Sequence, residues 1–349
     1  MSSGMEGMMG TAQPVRGMRR HRRSAGEGAR RGPGPVTRLL AGALVAVFLA
    51  GCDQPDPMDG MPEAAVTYLD AGRAVSETVA AGVTYRAIQS ASEPWMIHLL
   101  EVDVSRCEVG FEVMGLEPLG SDRLTVPDLA RAAGFGVVAA VNGDFYTEEN
   151  LSLGVEARGG LVRGRTSRPV FAWRPGEDPR LSQVAWEGDS LRIGDWSVIR
   201  GEPDGRTELL AGFPALLSGG AWVGDLEQAE RPGFAAARHP RTAVGWDPER
   251  RRLWVVVADG RREGLAEGMT LPELANLFLA LGATEALNLD GGGSSTMMVA
   301  GRVVSRPSDL AGPRPVVNAL VIREDAAFCS LPAGASGPAL SLPAHVPEP

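Results

Sequence analysis

Twice in this chain a threonine is followed two residues later by proline, a short helical pattern closes on glycine, and an apolar run ends in Asn-x-Asp. The first copy is Thr125-Val126-Pro127-Asp128-Leu129-Ala130, closing at Gly134, then Val137-Val138-Ala139-Ala140-Val141 into Asn142-Gly143-Asp144. The second is Thr270-Leu271-Pro272-Glu273-Leu274-Ala275, closing near Gly282, then Ala286-Leu287 into Asn288-Leu289-Asp290. Threonine caps the free amides at a helix start, and proline fits the first turn, where no amide donor is needed. The pattern reads as one helix–strand unit used twice, each copy carrying an Asn and an Asp to a strand end. Residues 83–89, 95–104 and 107–114 alternate apolar and polar positions with the period of half-buried strands. The expected fold class is α+β: mixed sheets with helices, in one domain that contains the duplicated unit.

The two ends read differently. Residues 1–51 hold eight arginines against Glu6 and Glu27, followed by an apolar run over 39–50. That run is shorter than the roughly 20 residues needed to span a bilayer, but it suits the apolar core of an export signal. It ends in Leu49-Ala50-Gly51-Cys52, which looks like a bacterial lipobox, so Cys52 is the expected lipidation site. Residues 52–80, which begin acidic and proline-rich, are expected to form a tether. The folded domain is placed at 81–325, and residues 326–349 are expected to be a disordered tail. This organisation implies an exported protein of the cell envelope, anchored to a membrane through lipid.

The formal net charge is −9, and the leader contributes +6 of it, so the chain without its leader carries −15. Such an acidic chain does not bind nucleic acid by neutralising phosphates, which needs clustered cations. All 34 basic residues are arginine, which excludes a Schiff-base lysine and a phosphate-loop lysine. Beyond Cys52 only Cys107 and Cys329 remain; they either pair in an oxidising compartment or stay as buried thiols. His98, His239 and His345 are scattered, so no metal-ligand set is evident and no cofactor is required. The aspartates leave room for a bound divalent cation.

The densest chemistry lies in Asn288-Leu289-Asp290-Gly291-Gly292-Gly293-Ser294-Ser295-Thr296. Three consecutive glycines leave the backbone bare, so several amides can converge on one anion. Three hydroxyls follow, and Asp290 supplies a carboxylate. The loop lacks the Gly-Lys-Ser/Thr of a Walker motif, and Thr296 stands where a serine-hydrolase elbow has its last glycine. Three other segments offer charge or amides near strand ends: Pro240-Arg241-Thr242-Ala243-Val244-Gly245, Asp259-Gly260-Arg261 and Arg314-Pro315-Val316-Val317-Asn318. The β-rich stretch 154–257 carries Trp173, Trp186, Trp196, Trp222, Trp246 and Trp254, rings that serve either as core or as sugar-stacking platforms.

Taken in order, Asn-Gly-x-Phe, Pro-Arg-Thr-Ala-x-Gly, Asp-Gly-Arg, Asp-Gly-Gly-Gly-Ser-Ser-Thr and Arg-Pro-Val-x-Asn-Ala resemble the phosphodiester glycosidase family. The resemblance covers about residues 83–322. It implies a hydrolase that cuts a sugar–phosphate diester on the sugar side, acting on phosphodiester-linked glycans. Carried over by position, it implies catalytic roles for Asp290, Asp259 and Asp144. It implies substrate or phosphate contacts from Arg241, Arg261, Asn142, Gly291, Gly292, Gly293, Ser294, Ser295 and Asn318. Glycoside cleavage needs two carboxylates about the anomeric carbon, and a phosphate leaving group needs cations and amides more than a proton. Two other readings stand beside it: an envelope phosphodiesterase that breaks the P–O bond, and a non-catalytic glycan-binding lipoprotein.

Overall fold

The run Leu253-Trp254-Val255-Val256-Val257-Ala258 is apolar at every position because its strand is buried on both faces. The computed structural model describes residues 56–115, 121–164, 166–224, 226–227 and 231–330. The expected export signal and Cys52 lie outside the described residues. Strand Arg252–Ala258 sits inside an eight-stranded sheet, between Met96–Asp103 and Arg241–Asp247. Its Leu253, Val255 and Val257 pack toward a five-stranded sheet that contributes Phe111, Val141, Met297 and Ile322 to the same core. Trp254, Val256 and Ala258 pack on the other side with Leu274, Leu277 and Phe278 of helix Leu271–Ala280. Gly245 permits this contact: a Cβ there would lie 2.3 Å from Phe278 Cδ1. The far face of the five-stranded sheet is covered by helix Val126–Ala133 through Val126, Leu129 and Ala130. The main body is therefore layered helix, sheet, sheet, helix.

A second five-stranded sheet, spanning residues 156–211, places Phe171, Trp173 and Leu210 in the main core. Its other face packs with the three-stranded sheet of Val184–Glu187, Ser190–Ile193 and Trp196–Ile199 around Val170, Leu191 and Ile193. Four of the six tryptophans in residues 154–257, Trp173, Trp196, Trp246 and Trp254, are core residues. Trp222 is 40 % exposed.

The expectation of mixed sheets is corrected: among the described residues the strand pairings are antiparallel, and strand outweighs helix, 43 % against 14 %. Both helix–strand units form, one in each large sheet. Strand Val137–Asn142 lies between Met297–Val299 and Asn318–Glu324, and Glu285–Asn288 lies between Arg241–Asp247 and Ala215–Ser218. In each unit the residue before the capping threonine bridges the chain just ahead of the neighbouring strand, Leu124 with Val316 and Met269 with His239. The units differ in detail. The second helix has a reciprocal cap, with Glu273 returning to the Thr270 amide at 2.8 Å, and its strand is shorter.

Residues 56–80 are not a tether. Helix Glu63–Leu69 buries Ala65 and Leu69 in the core beneath helix Leu271–Ala280, and Ala71–Ala80 pairs with Val83–Ser90 as an exposed edge strand. Arg86 holds the proline-rich entry by donating to the carbonyls of Pro57 at 3.0 Å and Asp59 at 2.8 Å. An edge strand exposed on most positions has no alternating signal, which is why its composition reads as unstructured. The expected tail also begins too early. Residues Ala326–Ser330 form a 3-10 turn, Phe328 packs on Trp173 at 5.3 Å between ring centroids, and Cys329 is disulfide-bonded to Cys107.

Candidate active site

The ends of the two Asn-x-Asp strands are stitched together. The Asp290 amide donates to the Gly143 carbonyl at 2.9 Å, and Asn142 Nδ2 donates to the Asp290 carbonyl at 2.6 Å. Asn142 Oδ1 accepts from Thr242 Oγ1 at 2.7 Å and from the Thr296 amide at 3.1 Å. This side chain therefore ties both sheets and the glycine loop into one frame. Asn318 plays a similar part: its Oδ1 accepts the Asp144 amide at 2.8 Å and its Nδ2 donates to Glu156 at 2.6 Å. The expectation that Asn142 and Asn318 contact substrate is thus replaced by framework roles. Both are fully buried with their amides engaged.

Asp290 projects from this frame, largely but not fully buried, and its Oδ1 accepts the Gly291 amide at 2.8 Å. Burial pushes its carboxyl up to about 6, against the pull of the adjacent Ser294 hydroxyl, the Gly291 amide and Arg314; Asp144 adds to the upward push. Asp144 is buried deeper and accepts from the Phe145 amide at 2.8 Å, Ser152 Oγ at 2.7 Å and the Gly154 amide. Desolvation outweighs these donors and raises its carboxyl. Asp259, the third expected catalytic carboxylate, faces inward instead. Its Oδ1 accepts the Arg306 amide at 2.8 Å, and its Oδ2 lies 3.4 Å from His98 Nε2 and 3.8 Å from Arg262. Tyr85 closes that buried chain on His98 Nδ1 at 2.8 Å.

The glycine loop also departs from expectation. Gly292 has φ +60°, a conformation glycine adopts without strain. The amides do not converge freely on an external anion, because four of the five at residues 291–295 already donate within the protein. Gly291 goes to Asp290, Gly292 to Pro240, Ser294 to Gly291 and Ser295 to Gly292. Of these five amides, that of Gly293 alone has no acceptor among the described residues. The hydroxyls of Ser294, Ser295 and Thr296 are buried without a hydrogen-bond partner; Ser294 faces the Asp290 carboxyl without reaching hydrogen-bond geometry.

What the bare loop admits is guanidinium. Arg261 Nη2 lies 2.9 Å from where a Gly292 Cβ would be, and Arg314 Nη2 lies 2.1 Å from where a Gly293 Cβ would be. Any side chain at either position would displace an arginine. Arg261 is partly exposed and donates to Ser308 Oγ at 3.2 Å. Arg241 differs from its expected role. It is buried, with Nε donating to the Met269 carbonyl at 2.9 Å and Nη2 to those of Phe234 and Ala237. Burial lowers it to about 10, and it braces the segment ahead of helix Leu271–Ala280. Arg314 replaces it beside the loop; its place in Arg-Pro-Val-x-Asn marked it in the sequence, but nothing local pointed it at Gly293.

Three more residues went unread in the sequence. Arg168 stands over the half-buried rings of Phe145 and Phe213 at 5.8 and 5.4 Å, with Nη1 3.9 Å from Asp144 Oδ1. Glu156 and Glu208 are buried carboxyls that desolvation pushes up to about 7 and about 8. Glu208 links the sheets by accepting the amides of Val113 at 2.7 Å and Gly159 at 2.8 Å. An acid inside the apolar runs Val155-Glu156-Ala157 and Glu208-Leu209-Leu210-Ala211 was the available signal. Among the described residues the one group with metal-ligand spacing is Cys107, Glu108 and Cys329, whose sulfurs are joined in the disulfide.

Residues 135–323 match a family model described as phosphodiester glycosidase. The human N-acetylglucosamine-1-phosphodiester alpha-N-acetylglucosaminidase is 42 % identical over 114 residues, 28 % of this chain and 22 % of that protein. Its bovine counterpart is 33 % identical over 114 residues, covering 28 % and 21 %. The match thus spans about a fifth of the length of these curated relatives. The crystal structure of a hypothetical protein from Synechocystis superposes with a TM-score of 0.57 at 16 % identity, covering 72 % of this chain and 64 % of that one. The zebrafish N-acetylglucosamine-1-phosphodiester alpha-N-acetylglucosaminidase catalytic domain, auto-inhibited by its pro-peptide, superposes with a TM-score of 0.50 at 21 % identity, covering 72 % and 82 %. These superpositions establish a shared fold.

Proposed function

Because the chain belongs to the phosphodiester glycosidase family, we propose that it hydrolyses a sugar–phosphate diester on the sugar side. Water replaces the phosphate at the anomeric carbon: the C–O bond breaks, the sugar leaves as the free hydroxyl compound, and the phosphate leaves as a monoester. The observation that carries this reading is Asp290 at the rim of a bare glycine loop, with Arg261 and Arg314 lying against that loop. A phosphate leaving group needs its growing negative charge stabilised, and two guanidiniums supply that. The anomeric carbon needs a carboxylate close by as positive charge develops on the ring. Asp290 fills this role as the anion, with Asp144 as the second carboxyl of the pair and Asp259 left to hold the frame. The half-exposed rings of Phe145 and Phe213 offer a face for the sugar.

The same reading places the enzyme in the cell envelope, held to a membrane by lipid on Cys52. The arginine-rich leader and lipobox support it, and so does the disulfide between Cys107 and Cys329, a bond typical of oxidising compartments. The deciding experiment is hydrolysis of an N-acetylglucosamine-1-phosphodiester in H2(18)O. Label in the released sugar, with an unlabelled phosphomonoester, is the expected result. Label in the phosphate would mean P–O cleavage, and saturable binding without turnover would mean a glycan-binding protein.

A further inference from the structure

A carboxylate of the chain itself stands over the same glycine loop. Asp309 accepts from Arg314 Nε at 2.7 Å and from Arg314 Nη2 at 3.0 Å, and its Oδ1 lies 4.0 Å from Arg261 Nη1. That oxygen is 2.5 Å from the point a Gly293 Cβ would occupy, beside Arg314 Nη2. Asp309, Arg261 and Arg314 are all partly exposed, with side chains 31, 49 and 37 % accessible, so a ligand can reach them. The group carries two cations and one anion, a net charge of +1.

Resting on the proposal that Arg261 and Arg314 clamp the phosphate, we infer that Asp309 is a specificity residue: it tunes the clamp to a singly charged phosphodiester and against a doubly charged phosphomonoester. The reaction makes this necessary. Cleavage on the sugar side converts a monoanionic diester into a monoester whose second proton leaves near pH 6, so at neutral pH the product carries nearly twice the substrate's charge. Two guanidiniums alone would hold that product more tightly than the substrate. A fixed carboxylate between them repels a doubly charged ligand about twice as strongly as a singly charged one, because the interaction scales with the ligand's charge. The bidentate bond to Arg314 keeps Asp309 in place, and the absence of a side chain at residue 293 lets carboxylate and guanidinium share one spot.

The test is calorimetric binding of phenyl phosphate and methyl phenyl phosphate at pH 8, which needs no turnover. Wild type, with its net charge of +1 at the clamp, is expected to prefer the monoester over the diester by less than the charge-removing variants do. Asp309→Asn should tighten phenyl phosphate by about 2- to 5-fold, the scale of one partly exposed charge contact, and the diester clearly less. Asp309→Ser, which also removes the charge, should reproduce the shift, whereas Asp309→Glu should keep the wild-type ratio. An equal shift for both ligands, or weakened binding of both in the Asn and Ser variants, would overturn the inference and leave Asp309 as a loop anchor. Failure to hydrolyse any sugar-1-phosphodiester would defeat the proposed function separately, since these affinities do not depend on it.

Discussion

Replacing Asp290 by asparagine separates what this carboxylate costs the fold from what it contributes to turnover. Its folded-state pKa is raised from 3.8 to about 6, mainly by burial. A raised pKa means that the folded state holds the proton more tightly than the unfolded state does. Its stabilising contribution is complete below pH 3.8 and is lost as pH rises through about 6. Above that the ionised group is a net burden. Asparagine cannot ionise, yet its carbonyl can still accept the Gly291 amide. The variant should therefore be more stable than wild type by less than about 1 kcal/mol at pH 4, by about 2 at pH 5 and by about 3 at pH 8. Urea unfolding of both proteins at these three pH values measures the differences. The buried carboxyls Glu156 and Glu208 titrate in the same window but occur in both proteins, so they cancel. Turnover should move the other way, with kcat on a sugar-1-phosphodiester falling at least about 100-fold. Wild-type kcat/KM should rise with pH through about 6 as Asp290 ionises. A stability difference that does not change with pH would refute the claim that burial strains this carboxylate. Full activity in the variant would remove Asp290 from the mechanism.

Arg261→Met and Arg314→Met should each raise KM for the diester by about 10-fold or more, since each removes a charged contact, and should leave hydrolysis of a neutral aryl glycoside of the same sugar unchanged. Arg241→Met should instead lower thermal stability and reduce activity on both substrates alike, because its guanidinium holds backbone carbonyls. Cys329→Ala opens a cross-link that spans 222 residues, and denaturant unfolding should show a loss of about 5 kcal/mol under non-reducing conditions. Cys52→Ala should shift the protein from the membrane fraction to the soluble fraction; unchanged fractionation would exclude lipid at that cysteine.

Much of the local structure was legible because it depends on neighbouring residues. Thr125 with Pro127, and Thr270 with Pro272 and Glu273, determine where two helices start, since they satisfy the first amides without help from elsewhere. Alternation over 83–89 and 95–104 determined strands that form at Val83–Ser90 and Met96–Asp103. The glycines at 291–293 marked a surface that only backbone could line. The edge strand Ala71–Ala80 was illegible because it buries too little to leave a pattern. Its partner supplies the ladder.

Local sequence marks the residues able to carry chemistry: an Asp at each of two strand ends, a glycine loop, and arginines as the only strong cations. Which of them remain available depends on the packing of the two sheets. Asn142 and Asn318 look like ligands for a substrate until both sheets are in place, when their amides are found closing the frame between segments a hundred or more residues apart. Asp259 is drawn inward by His98 and the Arg306 amide, and Arg241 by three carbonyls, while Arg314 comes to rest over Gly293. A buried polar group must find a partner, and in this protein the partners come from distant strands. Sequence neighbours do not reveal which donors and acceptors the fold will use up, and so they do not reveal which are left for a substrate.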